Sequence, residues 1–213
     1  MSDLLQSLKD VPVVGILRDI PGGEESACIK ASAAAGLKAI EVTMNTSGAP
    51  AIIRALKKAA APYGMRVGAG TVRTLQNFKD AREAGAEFII APATIPAVVR
   101  ECVKADIPVI PGALSPTEVQ TAFELGAACV KVFPVGAVGG PAYIRDLRGP
   151  FRDIPLLACG GVNAANAADY LKAGADLLSF GGSIFKPELM KKGDWETIGQ
   201  KLREFLAAAK SAV

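Results

Sequence analysis

Four stretches of this 213-residue chain are variants of one phrase. They are Ala35-Gly36-Leu-Lys-Ala-Ile-Glu-Val42, Ala84-Gly85-Ala-Glu-Phe-Ile-Ile-Ala91, Leu125-Gly126-Ala-Ala-Cys-Val-Lys-Val132 and Ala173-Gly174-Ala-Asp-Leu-Leu-Ser-Phe180. Each reads as a helix end, a glycine able to take the left-handed capping conformation, and then a short apolar strand. The glycines are 49, 41 and 48 residues apart (36 to 85, 85 to 126, 126 to 174), so each interval has room for one more strand and helix. The intervening strands are Val11-Pro-Val-Val-Gly-Ile-Leu17, Met65-Arg-Val-Gly-Ala69, Ile107-Pro-Val-Ile110 and Ile154-Pro-Leu-Leu-Ala158. Amphipathic segments at about 24–35, 48–61, 74–84, 95–105, 116–125, 141–148, 163–173 and 194–210 read as helices, several opening on cap-like residues such as Thr74, Ser115 and Asn163. Short apolar strands alternating with helices imply parallel βα units. Eight such units close naturally, so the expected α/β fold is a single (β/α)8 TIM barrel over residues 1–213 with a short leading helix. An open doubly wound sheet is the competing fold, disfavoured because no glycine-rich dinucleotide turn follows the first strand.

Composition excludes several classes of function. Half the residues are hydrophobic, 24 Lys and Arg are interspersed with 21 Asp and Glu, and the net charge is +3 without a basic cluster. Neither a nucleic-acid surface nor a polybasic membrane surface is expected. No run approaches 18 uninterrupted apolar residues, and the N-terminal stretch lacks the charge and apolar order of a signal peptide, so a cytoplasmic protein is expected. Cys28, Cys102, Cys129 and Cys159 lie far apart and read as reduced, buried thiols. Histidine is absent. That removes Ser-His-Asp and Cys-His hydrolysis and histidine-ligated metal chemistry, and leaves proton transfer to carboxylates, lysine, tyrosine or water.

In a barrel of this kind the chemistry sits at the C-terminal ends of the strands. Those ends carry Arg18, Glu41 with Thr43 and Asn45, Thr71, Pro92, Pro111, Lys131 with Phe133, Cys159, and Gly181-Gly182-Ser183. Strand alternation puts Cys129, Lys131 and Phe133 on one face and Ala128, Val130 and Val132 on the other. An ammonium on so apolar a strand is costly unless it is paired or loses its proton, and a neutral amine attacks carbonyl carbon. Glu41, on a face with Ala39 and Thr43, supplies the carboxylate that such chemistry needs. A buried Glu41–Lys131 salt bridge is the plain alternative. Two glycine pairs, Gly160-Gly161 and Gly181-Gly182, occupy the loops after the last two strands, where barrels often bind phosphate through backbone N–H groups. Simple turns are the alternative there.

Taken in order, Glu41-Val42-Thr43, Gly68-Ala69-Gly70-Thr71-Val72, Ile110-Pro111-Gly112, Lys131-Val132-Phe133-Pro134, Gly149-Pro150-Phe151, Gly160-Gly161-Val162 and Gly181-Gly182-Ser183 resemble the class I 2-keto-3-deoxy-6-phosphogluconate / 4-hydroxy-2-oxoglutarate aldolases. The resemblance runs from about residue 11 to the last helix. It implies a homotrimeric barrel that reversibly cleaves a 2-keto-4-hydroxy acid into pyruvate and an aldehyde, either glyceraldehyde 3-phosphate or glyoxylate, with no metal or other cofactor. It makes Lys131 the Schiff-base lysine and Glu41 the acid–base residue. Thr71, Pro92 and Phe133 would lie around the substrate, and Gly160, Gly161, Gly181, Gly182 and Ser183 would hold phosphate.

Two positions depart from the phosphogluconate pattern. Asn45 stands where such members carry an arginine for the substrate carboxylate, and Cys159 stands where they carry threonine. Leu17-Arg18 instead matches members resembling phosphogalactonate aldolases, so Arg18 is expected to supply the missing charge, with a helix-capping surface arginine as the alternative. Two further functions fit the residues without the resemblance. One is a barrel lyase or isomerase without a covalent intermediate; the other is a non-catalytic sugar-phosphate-binding protein.

Overall fold

Every strand lies in one parallel sheet in the structure, a computed structural model that describes residues 3–211. Residues 1–2 and 212–213, the ends of the expected unit, lie outside the described residues. The strands are β1 (Val13–Leu17), β2 (Ala39–Thr43), β3 (Arg66–Gly70), β4 (Ile89–Ile90), β5 (Val109–Ile110), β6 (Gly112–Ala113), β7 (Val130–Val132), β8 (Leu156–Cys159) and β9 (Leu177–Phe180). Their order is β5-β4-β3-β2-β1-β9-β8-β7-β6. The two ends of that order, β5 and β6, are separated in sequence by Pro111 alone, which has no N–H to contribute to a ladder. They are therefore two halves of one strand. Ile110 pairs with Ile90 on one side, Gly112 pairs with Lys131 on the other, and the Pro111 carbonyl accepts the Lys131 N–H at 2.9 Å. The sheet closes on itself as an eight-stranded barrel, and the open sheet is excluded.

The recurrent glycines perform as their sequence context requires. Gly36, Gly85, Gly126 and Gly174 have φ of 95°, 86°, 98° and 102°, a region that side-chain-bearing residues avoid. The strands led by prolines begin two residues later than the apolar run. Pro12, Pro108 and Pro155 lack a ladder donor, and each instead offers its carbonyl, to Leu178, Ile89 and Val130, at 2.8, 2.9 and 2.8 Å.

Helix α1 (Asp3–Ser7) leads the chain. Helices α2 (Glu25–Ala35), α3 (Ala49–Ala60), α4 (Leu75–Glu83), α5 (Pro96–Lys104), α6 (Pro116–Glu124), α7 (Pro141–Arg148) and α8 (Ala167–Lys172) follow successive strands. After β9 come a short α9 (Pro187–Lys191), which the periodicity does not reveal, and the long α10 (Trp195–Lys210). Thr74 caps α4 by accepting the Asn77 N–H, and Ser115 with Glu118 forms a reciprocal capping box on α6. Asn163 does not start a helix. It closes a turn that delays α8 to Ala167, because its Oδ1 accepts the Ala165 N–H while Asn166 Oδ1 accepts its own N–H. No helix among the described residues is long and apolar enough to cross a membrane.

The strands separate two apolar cores. One lies between barrel and helices and includes Val130 and Val132. The other fills the barrel and contains Val14, Ala39, Phe88, Ile90, Ile110, Cys129, Leu157, Cys159 and Leu177. Leu4, Leu5 and Leu8 join this inner core, so α1 plugs the lower end of the barrel. All four cysteines are free and buried, and burial pushes the Cys28 and Cys102 thiols up to about 12. Leu4 has no solvent exposure. Leu4→Ala should lower the unfolding free energy by about 2–5 kcal/mol, as fully buried leucines do when truncated, read as a shifted denaturant midpoint. A variant as stable as the parent would mean that the plug contributes nothing to the barrel.

Candidate active site

Two charged side chains face the inner core. Glu41 is 1% exposed and Lys131 is 7% exposed. Barrel register sets Glu41 beside Ile16 on β1 and Gly68 on β3, and Lys131 beside Gly112 on β6 and Leu157 on β8. The small neighbours are a steric requirement. A Cβ on Gly70 would come within 2.5 Å of the Glu41 Cδ, one on Gly68 would meet the Phe88 ring at 2.4 Å, and one on Gly112 would meet the Pro92 carbonyl oxygen at 2.2 Å. The glycines of Gly-Ala-Gly-Thr therefore admit the carboxylate and the packed ring beside it.

The salt-bridge reading does not describe this pair. The ion pairs among the described residues do not include Glu41 or Lys131, and Glu41 Oε2 is buried with no hydrogen-bond partner. Burial raises the Glu41 carboxyl above its ordinary value, opposed first by the Lys131 charge and then by Arg18. Lys131 Nζ lies 5.0 Å from the centroid of the Phe133 ring, which covers it in cation–π geometry. The peptide bond from Phe133 to Pro134 is cis.

A cavity of about 480 Å³, a volume suited to a small organic ligand, opens at the strand ends; Glu41 and Lys131 do not line it, but Phe133, whose ring covers Lys131, does. Arg18, Phe133, Cys159, Gly160, Gly161, Gly181, Gly182 and Ser183 line it, so eight of the site residues expected from sequence share one space. The loop after β8 is rigidly held. Asn163 and Asn166 both donate from Nδ2 to the Gly161 carbonyl, and the Gly136 N–H reaches the Gly160 carbonyl at 3.0 Å. Gly160 and Gly161 have φ of 95° and 83°. Among the described residues, the N–H groups of Gly161, Val162, Gly182 and Ser183 donate to no acceptor within the chain. Four unspent donors on two adjoining loops can hold an anion.

The other expected residues lie elsewhere. Pro92 lines a second cavity of about 280 Å³, which meets the first at Phe133. Thr71 is half-buried with φ of 55°, immediately after the glycine that faces Glu41, and lines neither cavity. Asn45 lines neither cavity as well. The chain leaves β2 in a tight turn in which the Thr46 N–H returns to the Thr43 carbonyl, and Asn45 is exposed at its tip. Arg18 thus reaches the cavity and Asn45 does not. Ser179 and Asp19 are among the lining residues that escaped the sequence reading. Ser179 follows from β9 alternation with Leu177, whereas Asp19 lies beyond the strand at φ 54°, where alternation no longer applies. No three His, Cys, Asp or Glu side chains among the described residues come together to hold a metal ion.

Comparison with known proteins matches the family model described as "Aldolase: KDPG and KHG aldolase" to residues 4–201. The chain belongs to the KDPG and KHG aldolase family. It is 36% identical over 177 residues to the 2-dehydro-3-deoxy-phosphogluconate aldolase of Pseudomonas aeruginosa, covering 83% of this chain and 79% of that protein. It is 33% identical over 186 residues to the probable 2-dehydro-3-deoxy-6-phosphogalactonate aldolase of Rhizobium meliloti, covering 86% and 85%. The KDPG aldolase of Legionella pneumophila, whose crystal structure has pyruvate captured at low pH as a covalent carbinolamine intermediate, superposes with a TM-score of 0.84 at 27% identity, covering 95% of this chain and 97% of that one.

The raised carboxyl of this aldolase has a consequence for stability. A carboxyl whose folded pKa lies above its ordinary 4.5 contributes stability that is complete below that value and is lost as pH rises through the folded pKa. Glu41→Gln keeps the shape and removes the charge. Its melting temperature should match the parent below pH 4.5 and exceed it increasingly as pH rises toward neutrality. A gap independent of pH would show that Glu41 is not strained by burial.

Proposed function

We propose that this aldolase works through a Schiff base at Lys131 and reversibly cleaves a 2-keto-3-deoxy-6-phospho sugar acid into pyruvate and a phosphorylated aldehyde. The observation that carries the reading is the buried amine and buried carboxylate held in one barrel without pairing. An amine and an acid kept apart are both free to act on a third molecule.

The steps follow from those two groups. The free amine of Lys131 adds to the keto carbon, giving a carbinolamine, and Glu41 supplies the proton with which its hydroxyl leaves as water. The resulting protonated imine is an electron sink. Glu41, now a carboxylate, takes the proton of the C4 hydroxyl, through a water molecule or directly. The C3–C4 bond breaks, its electron pair enters the imine to form an enamine, and the aldehyde departs. Glu41 then returns its proton to C3, and water hydrolyses the protonated imine, its spare proton going back to Glu41, to release pyruvate and the free amine. Every proton and electron is accounted for by Lys131, Glu41, substrate and water, and no metal or organic cofactor enters.

The surrounding residues bind. Arg18 offers a guanidinium to the keto-acid carboxylate, in the place of the arginine absent at position 45. By resemblance to the family, Thr71, next to the glycine that faces Glu41, and Pro92, in the cavity that shares Phe133, belong to the pyruvyl end, and Cys159 flanks the middle of the substrate. The free amides of Gly161, Val162, Gly182 and Ser183, with the neighbouring Gly160 and Gly181, receive the phosphate. The same reading carries a cytoplasmic homotrimer, which light scattering would report at three times the 22.0 kDa chain mass.

Borohydride reduction in the presence of pyruvate tests the covalent step. The parent should gain one pyruvyl group that peptide mapping places on Lys131, and Lys131→Ala should show neither adduct nor cleavage while keeping its fold. Cleavage at the parent rate in that variant would sink the mechanism. Arg18→Ala should weaken adduct formation by about 1.5–3 kcal/mol, the cost of a lost charged hydrogen bond. Equal trapping by parent and variant would place the carboxylate elsewhere.

A further inference from the structure

Asp19 has no part in the mechanism above, yet among the described residues it is the single acidic side chain lining a cavity that carries Arg18 and free backbone donors. Arg18 is the cation beside it, and the free amides of the two glycine loops complete the lining. A carboxylate in such a place works against the capture of an anionic substrate, so its position calls for a different ligand group.

The local geometry holds it there. Asp19 adopts φ of 54°, a conformation that aspartate tolerates better than most residues but that still disfavours a side chain. Its N–H donates to Thr46 Oγ1 at 3.1 Å, and Thr46 Oγ1 lies 2.9 Å from Thr43 Oγ1 in a buried hydroxyl pair at the end of β2. The turn after β1 is thereby tied to β2, which leaves Arg18 and Asp19 both on the cavity wall. Asp19's carboxylate itself has no hydrogen-bond or ion-pair partner among the described residues, Arg18 included. It is left with its acceptor oxygens available.

We propose that Asp19 sets the aldehyde specificity of the site, an inference that rests on the aldolase reading. Its oxygens accept hydrogen bonds from the hydroxyls of a polyhydroxy aldehyde chain stretched between Lys131 and the phosphate loops. An aldehyde bearing its own carboxylate next to the carbonyl places that charge beside Asp19 and is repelled. The site is therefore selective against short oxo-acids and for hydroxylated, distally charged aldehydes.

The test is the condensation of pyruvate with two acceptors, glyceraldehyde 3-phosphate and glyoxylate, followed as kcat/KM for each. Asp19→Asn keeps the shape and the turn, and Asp19→Gly suits the positive φ, so both should fold. In both, the ratio of glyoxylate to glyceraldehyde 3-phosphate should rise by about tenfold, the scale of one relieved like-charge contact near a surface. Added salt should move the parent toward the variants. An unchanged ratio with both acceptors still turned over overturns the role of Asp19 and leaves the aldolase intact. If the parent condenses pyruvate with neither acceptor, the aldolase reading falls and Asp19 falls with it.

Discussion

The site depends on an amine and a carboxyl being buried close enough to influence one another and yet not joined. Water-free surroundings penalise each charge, and a direct ion pair would be the ordinary relief. Here the barrel blocks that relief by position. Glu41 is set by β2 against Gly70, where any side chain would displace it, and Lys131 is set by β7 beneath the Phe133 ring. The strands on which they stand are fixed by ladders on both sides, so the two backbone positions keep their separation across the barrel. Closure is part of this arrangement. The carbonyl of Pro111, the residue that splits β5 from β6, receives the Lys131 N–H, so the last seam of the barrel anchors the lysine backbone.

The loops above divide the remaining work by chemical type. The side toward β8 and β9 offers backbone donors, and in the loop after β8 Asn163, Asn166 and Gly136 already fix the peptide groups. The side toward β1 offers side chains, one cation and one anion in consecutive positions. Consecutive residues on a strand would point apart, and both reach the cavity only because the strand ends at Leu17 and Asp19 turns in the left-handed region. A local backbone departure thus places on one wall two functions that regular structure would have separated.

Much of this was legible in the residues because it rests on steric rules that act locally. The four recurring glycines announced helix ends, Ser115 with Glu118 announced a cap, and alternation along 129–133 put Cys129 and Lys131 inside while Val130 and Val132 faced the helices. Arg18 was found by extending the same alternation one residue past β1. Alternation stops predicting direction where the backbone ceases to be regular. Asn45 lies two residues beyond β2, and the hydrogen bond from Thr46 to Thr43 turns it outward. Asp19 was missed for the same reason in reverse. Asn163 looked like a helix cap because its side chain does accept a nearby N–H, but in a turn that precedes the helix by four residues. Short α9 carries too few residues for periodicity to register.

The leucines of α1 give the barrel a floor. Leu4, Leu5 and Leu8 close the lower end, in one apolar cluster with Leu157, Cys129 and Ile110. The barrel is closed at the α1 end, so the reactants of the proposed chemistry come and go at the other, where the two cavities that share Phe133 lie. On the proposed chemistry, the fragment bonded to Lys131 lies at the bottom and the fragment cut from it lies toward the mouth. The free aldehyde has to leave before pyruvate can, and in the reverse direction pyruvate has to enter first. The covalent bond sets that order, and the helix that floors the barrel, though it touches neither reactant, offers no way out at the far end.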